Sequence, residues 1–227
     1  MGTADSIYTE HNLHSLPHRW RIRQVIRLLQ KVCPNVSTYA DVGCGDGFVT
    51  SQIARELRVD RCVGYDFNSE VLELGKRRSS EIAFRRWNFT TEQPPDEKYF
   101  LVTCLETLEH VSNMRSAVKN LLAITEHCLL ITVPVEIGPL GLAKFTAKTL
   151  LGRETFNSEH QGSKLDYFWS LLRGAPISQF RQNPENGHWK LHTGFDYREL
   201  DEILHKQQIS FEGRTRGWNR FYVIRRG

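Results

Sequence analysis

The stretch Asp41-Val42-Gly43-Cys44-Gly45-Asp46-Gly47 decides the fold. It follows a strand-like run and precedes a helix with apolar periodicity. Three glycines in five residues let the backbone bend sharply and approach a ligand more closely than any Cβ would allow. The helix that follows adds free N–H groups at its start. This is a nucleotide-binding turn. The carboxylate of Asp41 at the strand end would repel a pyrophosphate and suits the ammonium of an amino-acid moiety. The glycines fall as G-x-G-x-G, not as the G-x-G-x-x-G of dinucleotide sites. The next strand, Arg61 to Tyr65, ends in Asp66, where an acid can accept both hydroxyls of a ribose.

Outward from the turn, Ile22, Val25, Ile26 and Leu29 fall at i, i+3, i+4 and i+7, which predicts an amphipathic helix over Arg19 to Val32. Helices are expected over Phe48 to Leu57 and from Ser69, as N-cap, through Lys76. Strands are expected at Glu81 to Trp87, Tyr99 to Cys104 and Cys128 to Val133, with a helix near Met114 to Thr125. Such alternation means a parallel, doubly wound sheet. From Glu136 to Lys190 the alternation stops. This stretch holds Gly138-Pro139, a short helix over Leu142 to Leu151, and the aromatics Phe156, Tyr167, Phe168, Trp169, Phe180 and Trp189. A structureless loop of that length does not suit a compact domain, so an inserted cap over the acceptor pocket is expected. Asp196 with Glu199 opens a helix through Gln207. Ile209 to Thr215 and Arg220 to Arg225 form a terminal antiparallel hairpin. The expected organisation is a helical segment at 1–35, a core at 36–135, the cap at 136–191 and a closing helix and hairpin at 192–227.

Asp41 to Gly47, with Asp66, resembles motif I and the second acidic position of class I S-adenosylmethionine-dependent methyltransferases. The resemblance covers roughly residues 36–135 and 192–227. It implies an α/β, Rossmann-like, seven-stranded, mostly parallel doubly wound sheet with an antiparallel last strand, here with the cap inserted after the fifth strand. It also implies S-adenosylmethionine as cofactor and methyl transfer. The expected cofactor contacts are Asp41, Gly43, Cys44, Gly45 and Asp66, then Phe67, Asn88 and Phe89 around the adenine, and Cys104 at the end of the fourth strand.

After that strand comes Leu105-Glu106-Thr107-Leu108-Glu109-His110-Val111. In the first turn of a helix, Glu106, Glu109 and His110 would share one face at i, i+3 and i+4. Two carboxylates and an imidazole make a half-site for Mg²⁺ or Mn²⁺, with His192 as a fourth ligand. The E-x-x-E-H pattern resembles that of ubiquinone-biosynthesis O-methyltransferases. With a distant His it also resembles the small-RNA 3′-terminal 2′-O-methyltransferases. Both resemblances imply metal-assisted methylation of a hydroxyl flanked by another oxygen. Three readings of these residues stay open: a metal site, His110 as a metal-free base with Glu109 beside it, and a structural turn.

Bulk properties exclude little else. A chain of 227 residues can bury a full core. The polar start and the lack of a long apolar run predict a cytoplasmic protein without a signal peptide or membrane span. Five cysteines without C-x-x-C spacing read as reduced thiols. The net charge of +4 suits an anionic acceptor without demanding one. Basic residues of the insert and C-terminus, among them Lys144, Lys148, Arg153, Lys164, Arg173, Arg181 and Arg220, read first as solvated surface. The segment Gly138 to Gly152, apolar with two lysines, could also lie on a membrane. The favoured function is O-methylation of a small-molecule or glycan hydroxyl. The alternatives are an RNA ribose methyltransferase and a non-catalytic adenosylmethionine-binding protein.

Overall fold

The computed structural model describes residues 16–182, 184 and 187–226. Residues 1–15, on which the signal-peptide expectation rests, lie outside these. Among the described residues, no helix is long and apolar enough to cross a membrane. The elements run α1 (Leu16–Val32), β1 (Thr38–Val42), α2 (Phe48–Leu57), β2 (Arg61–Asp66), α3 (Ser69–Arg78), β3 (Ile82–Arg86) and β4 (Tyr99–Leu105). Then follow a 3₁₀ turn (Leu108–His110), α4 (Met114–Ala123), β5 (Thr125–Pro134), α5 (Gly138–Leu150) and α6 (Lys164–Arg173). After a second 3₁₀ turn (Ser178–Phe180), α7 (Tyr197–Lys206), β6 (Glu212–Arg216) and β7 (Asn219–Arg225) close the chain. The strands form one seven-stranded sheet in the order β3-β2-β1-β4-β5-β7-β6. The strands β1 to β4 pair in parallel where they neighbour one another, and β6 and β7 are antiparallel. This is the architecture expected from the sequence.

The described residues divide into two compact units, one within 16–105, 119–130 and 225–226, the other within 106–118 and 131–224. In the first unit, α1 buries Ile22, Val25 and Leu29, the stripe its periodicity sets out. Helix α3 corrects one expectation. Its N-cap is Asn68, whose Oδ1 accepts from the backbone N–H of Glu70 at 2.9 Å, and Ser69 is the first helical residue. The helix runs on to Arg78 because Lys76, Arg77 and Arg78 complement the negative end of its dipole.

In the second unit, residues 136–191 contain two helices where the sequence predicted one. Helix α5 starts earlier than Leu142, since Pro139 suits its first turn. Helix α6 is capped by Ser163 at one end and by Gly174 in the left-handed conformation at the other. The aromatics of this stretch pack on one another. Phe145, Tyr167, Leu171, Ile177 and Phe180 are buried together, with the Phe145 and Tyr167 rings 4.9 Å apart. Asp196 caps α7 as expected, accepting from the Arg198 N–H at 3.0 Å.

Candidate active site

The glycine turn belongs to the first unit. At the end of β1, Asp41 is aligned with Gly64 of β2 and Thr103 of β4. The backbone then turns through Gly43 (φ 81°), Gly45 (φ 56°) and Gly47 (φ 74°), a conformation that side chains resist. Each glycine has its own reason. The N–H of Gly43 donates to the Tyr65 carbonyl at 2.7 Å, which ties the turn to β2. A Cβ on Gly47 would meet the Phe84 ring at 2.5 Å, so this position serves packing. A Cβ on Gly45 would make only ordinary contact, with Val71 Cγ1 at 3.9 Å, so here it is the left-handed backbone and not crowding that asks for glycine. Asp66 faces the same turn, its Oδ2 accepting from the Gly45 N–H at 3.0 Å and its Oδ1 from Asn68 at 2.9 Å. Carboxylate oxygens accept more than one bond, so capacity remains for ribose hydroxyls.

Other expected cofactor residues are placed differently. Asp41 is buried, and each of its oxygens already accepts a bond inside the unit: Oδ1 from Thr103 at 2.6 Å and Oδ2 from Thr50 at 2.5 Å. Burial pushes its carboxyl up to about 6. It joins β1, β4 and α2 instead of presenting a bare carboxylate to an ammonium. Phe67 is 46% exposed and can stack on a ring. Asn88 uses Oδ1 for the N–H and hydroxyl of Thr90, which leaves its amide N–H groups for a ligand. Phe89 is buried beside Trp87, and Cys44 and Cys104 are buried as well.

The second unit holds the titratable cluster. Ligand atoms of Glu109, His110 and His192 lie within 4.8 Å of one another. The Nε2 atoms of the two histidines are 3.1 Å apart, and they lie 3.9 Å (His110) and 3.7 Å (His192) from Oε1 of Glu109. The point equidistant from the three atoms is about 2.1 Å from each, a metal–nitrogen or metal–oxygen bond length. The tautomer is defined too. Nδ1 of His110 donates to the Trp189 carbonyl at 2.7 Å, since a carbonyl only accepts, and Nε2 therefore offers its lone pair. Burial lowers the pKa of both imidazoles, and His110 lowers that of His192 further, so they are neutral, as ligands must be. Glu109 is completely buried.

Around this triad stand residues that sequence reasoning missed. Arg181, counted above as surface, is half-buried, and its guanidinium donates to three backbone carbonyls: Glu109 at 2.9 Å, Thr193 at 2.9 Å and Leu191 at 3.1 Å. It thus grips Glu109 and both neighbours of His192. Its ring partner Trp189, at 4.5 Å, is the residue that orients His110. Gly194 leaves room for it, because a Cβ there would meet Arg181 Cγ at 2.7 Å. Burial lowers the guanidinium to about 10, which still leaves it charged at neutral pH. On the other side Glu136 lies 4.0 Å from Nδ1 of His192 and accepts from Lys144 at 3.1 Å. A carboxylate behind a ligand histidine is the usual outer partner of a metal site.

Glu106 corrects the predicted helical face. Glu109 and His110 sit on a 3₁₀ turn that begins at Leu108, and Glu106 precedes it in the left-handed conformation at φ 52°. The α-helical spacing therefore does not apply, and Oε2 of Glu106 accepts from the Asn219 amide at 2.7 Å. Only Glu109, His110 and His192 are brought together.

Comparisons with known proteins bear on the family and the fold. Residues 12–205 match the profile of a methyltransferase-domain family. The ubiquinone biosynthesis O-methyltransferase of Serratia proteamaculans is 32% identical over 87 residues, which are 36% of this chain and 35% of that protein. The Erwinia tasmaniensis protein of the same name is 35% identical over 83 residues, 34% of this chain and 33% of the relative. The matches thus span about a third of these relatives' length. Among solved structures, magnesium protoporphyrin IX methyltransferase from Synechocystis, with S-adenosylhomocysteine bound, superimposes with a TM-score of 0.60 at 14% identity, covering 98% of this chain and 92% of that one. The methyltransferase domain of bacterial CtHen1 gives 0.57 at 15% identity, covering 92% and 99%. At such identities the likeness concerns the fold. With the glycine turn, the acid at the end of β2 and the matching family profile, the chain belongs to the methyltransferase-domain family, within the class I S-adenosylmethionine-dependent methyltransferases.

Proposed function

We propose that this methyltransferase transfers the methyl group of S-adenosylmethionine to a hydroxyl oxygen of a small molecule, assisted by Mg²⁺ or Mn²⁺ on Glu109, His110 and His192. The observation that supports it is the triad itself, three ligand atoms spaced for one ion, with the Nε2 lone pair of His110 turned toward His192. A non-catalytic binding protein would have no use for it. The relatives named above, O-methyltransferases of ubiquinone biosynthesis, favour oxygen as the acceptor and a small molecule over RNA.

The sulfonium methyl is already a strong electrophile, so the protein must mainly align an acceptor and manage one proton. A divalent ion, when bound, lowers the pKa of a hydroxyl and fixes its position. The chain's own residues do the rest. Asp66 and the Gly45 backbone hold the nucleoside, and Phe67 stacks on the adenine. Trp189 keeps the His110 lone pair turned inward, while Arg181 holds the backbone of Glu109 and of both neighbours of His192. The same lone pair on His110 would serve as a general base if no ion took part, which is the second reading.

Transfer of labelled methyl from S-adenosylmethionine to catechols and to an RNA duplex, with and without chelator, tests this. The expected result is label in the catechol ether, lost with chelator and restored by Mg²⁺ or Mn²⁺. Label in RNA alone would overturn the small-molecule acceptor. Undiminished transfer in chelator would move the chemistry to His110 as base.

A further inference from the structure

Helix α5 carries two lysines four residues apart, Lys144 and Lys148, which therefore share one face. The helix starts hard against the end of β5, since a Cβ on Gly141 would meet the Glu136 carbonyl at 2.1 Å. Lys144 is used up there. Its three N–H groups have three acceptors: the Glu136 carboxylate at 3.1 Å and the carbonyls of Val135 at 3.0 Å and Trp218 at 3.5 Å. Glu136 in turn lies 4.0 Å from Nδ1 of His192, so this face of α5 borders the triad.

Lys148, one turn further on, is half-buried, and its ammonium has no acceptor among the described residues. It acts on the triad all the same. After burial and His110, the groups that hold the His192 imidazole low are Lys148 first, then Lys144 and Arg181. A cation drawn part-way out of water loses solvation that a partner must replace. Lys144 has Glu136 for this and Arg181 has backbone carbonyls. Lys148 is left for a ligand.

Charge indicates which ligand. A divalent ion on Glu109 and two neutral imidazoles would leave one positive charge, and an acceptor hydroxyl that gives up its proton would cancel it. The Lys148 ammonium then remains unmatched. A neutral acceptor leaves it bare, whereas an acceptor with a carboxylate supplies a charge-assisted hydrogen bond.

We propose that Lys148 is a specificity-determining residue of the acceptor site, pairing with the carboxylate of a small hydroxylated acid whose hydroxyl oxygen receives the methyl group. This rests on the O-methyl-transfer reading above and names its acceptor class.

The test compares 3,4-dihydroxybenzoate with its methyl ester, which keeps the ring and removes the charge. Transfer is measured as kcat/KM with Mn²⁺, and affinity for each compound by calorimetry without S-adenosylmethionine. Wild type should favour the free acid at least tenfold in both, the scale of one hydrogen bond to a charged group. Lys148→Met should abolish that preference, Lys148→Arg should keep most of it, and Lys148→Glu should reverse it. Unchanged thermal unfolding and S-adenosylmethionine binding would show that the variants are folded. Equal use of acid and ester by wild type, or a preference that survives in Lys148→Met, would overturn this inference and leave oxygen methylation standing. Transfer to neither compound, nor to catechol, would overturn the oxygen-acceptor reading and this inference with it.

Discussion

The glycine turn and the Glu109–His110–His192 triad differ in how they are built. The turn is seven consecutive residues tied to Asp66, and its reach toward a ligand comes from backbone shape. The triad joins positions 82 apart, and its geometry depends on side chains that never touch the proposed ion. A contiguous site is robust to packing changes at a distance, whereas an assembled one is only as good as the clamp that holds it.

The largest effect should follow from Glu109→Gln, which keeps the shape and removes the charge. Methyl transfer is expected to fall by about 10³-fold, the scale of a lost catalytic group, with S-adenosylmethionine binding unchanged by calorimetry. Loss of cofactor binding in this variant would mean that the two sites are not separable. Next comes Asp66→Ala on the turn, which should weaken S-adenosylmethionine binding by up to about 3 kcal/mol, roughly a hundredfold, and leave Mn²⁺ affinity alone. Arg181→Lys should weaken Mn²⁺ about tenfold, as outer-shell changes do, and leave the cofactor untouched. If Mn²⁺ binds as before, the clamp is unimportant to the triad.

The smallest effect is on pH. The folded pKa values of His110 and His192 lie below the ordinary 6.5. Their unfolded counterparts take up protons first, so stability is complete above 6.5 and is lost as pH falls through that value toward the folded ones. Urea unfolding of the metal-free protein at pH 7.5, 6.5 and 5.5 should show this decline, and His192→Gln should flatten it. An equal decline in the variant would assign it to other groups.

The same contrast explains what the sequence revealed. Gly43 to Gly47 and Asp66 were legible because their signal is local, a glycine spacing and an acid at a strand end. Glu109 and His110 were legible as neighbours, and His192 as an imidazole next to a returning helix. Glu106 was misread because spacing arguments assume 3.6 residues per turn, and the chain forms a 3₁₀ turn only after it. Arg181 was invisible: a guanidinium bound to the protein and a solvated one have the same letter, and its acceptors are backbone carbonyls. The aromatics of 136–191 were legible as a cluster, and Tyr167 and Phe180 among them build that segment's own core. The caps of α3 show the ordinary limit, since adjacent Asn68 and Ser69 are both good N-caps and only geometry selects between them.

The most direct measurement of the central claim is Mn²⁺ binding by electron paramagnetic resonance and calorimetry, wild type against His192→Ala, without substrate. The account predicts one Mn²⁺ per wild-type chain, loss of that site in the variant, and the same S-adenosylmethionine affinity in both. A wild type that binds no Mn²⁺, or a variant that binds it equally well, would contradict it.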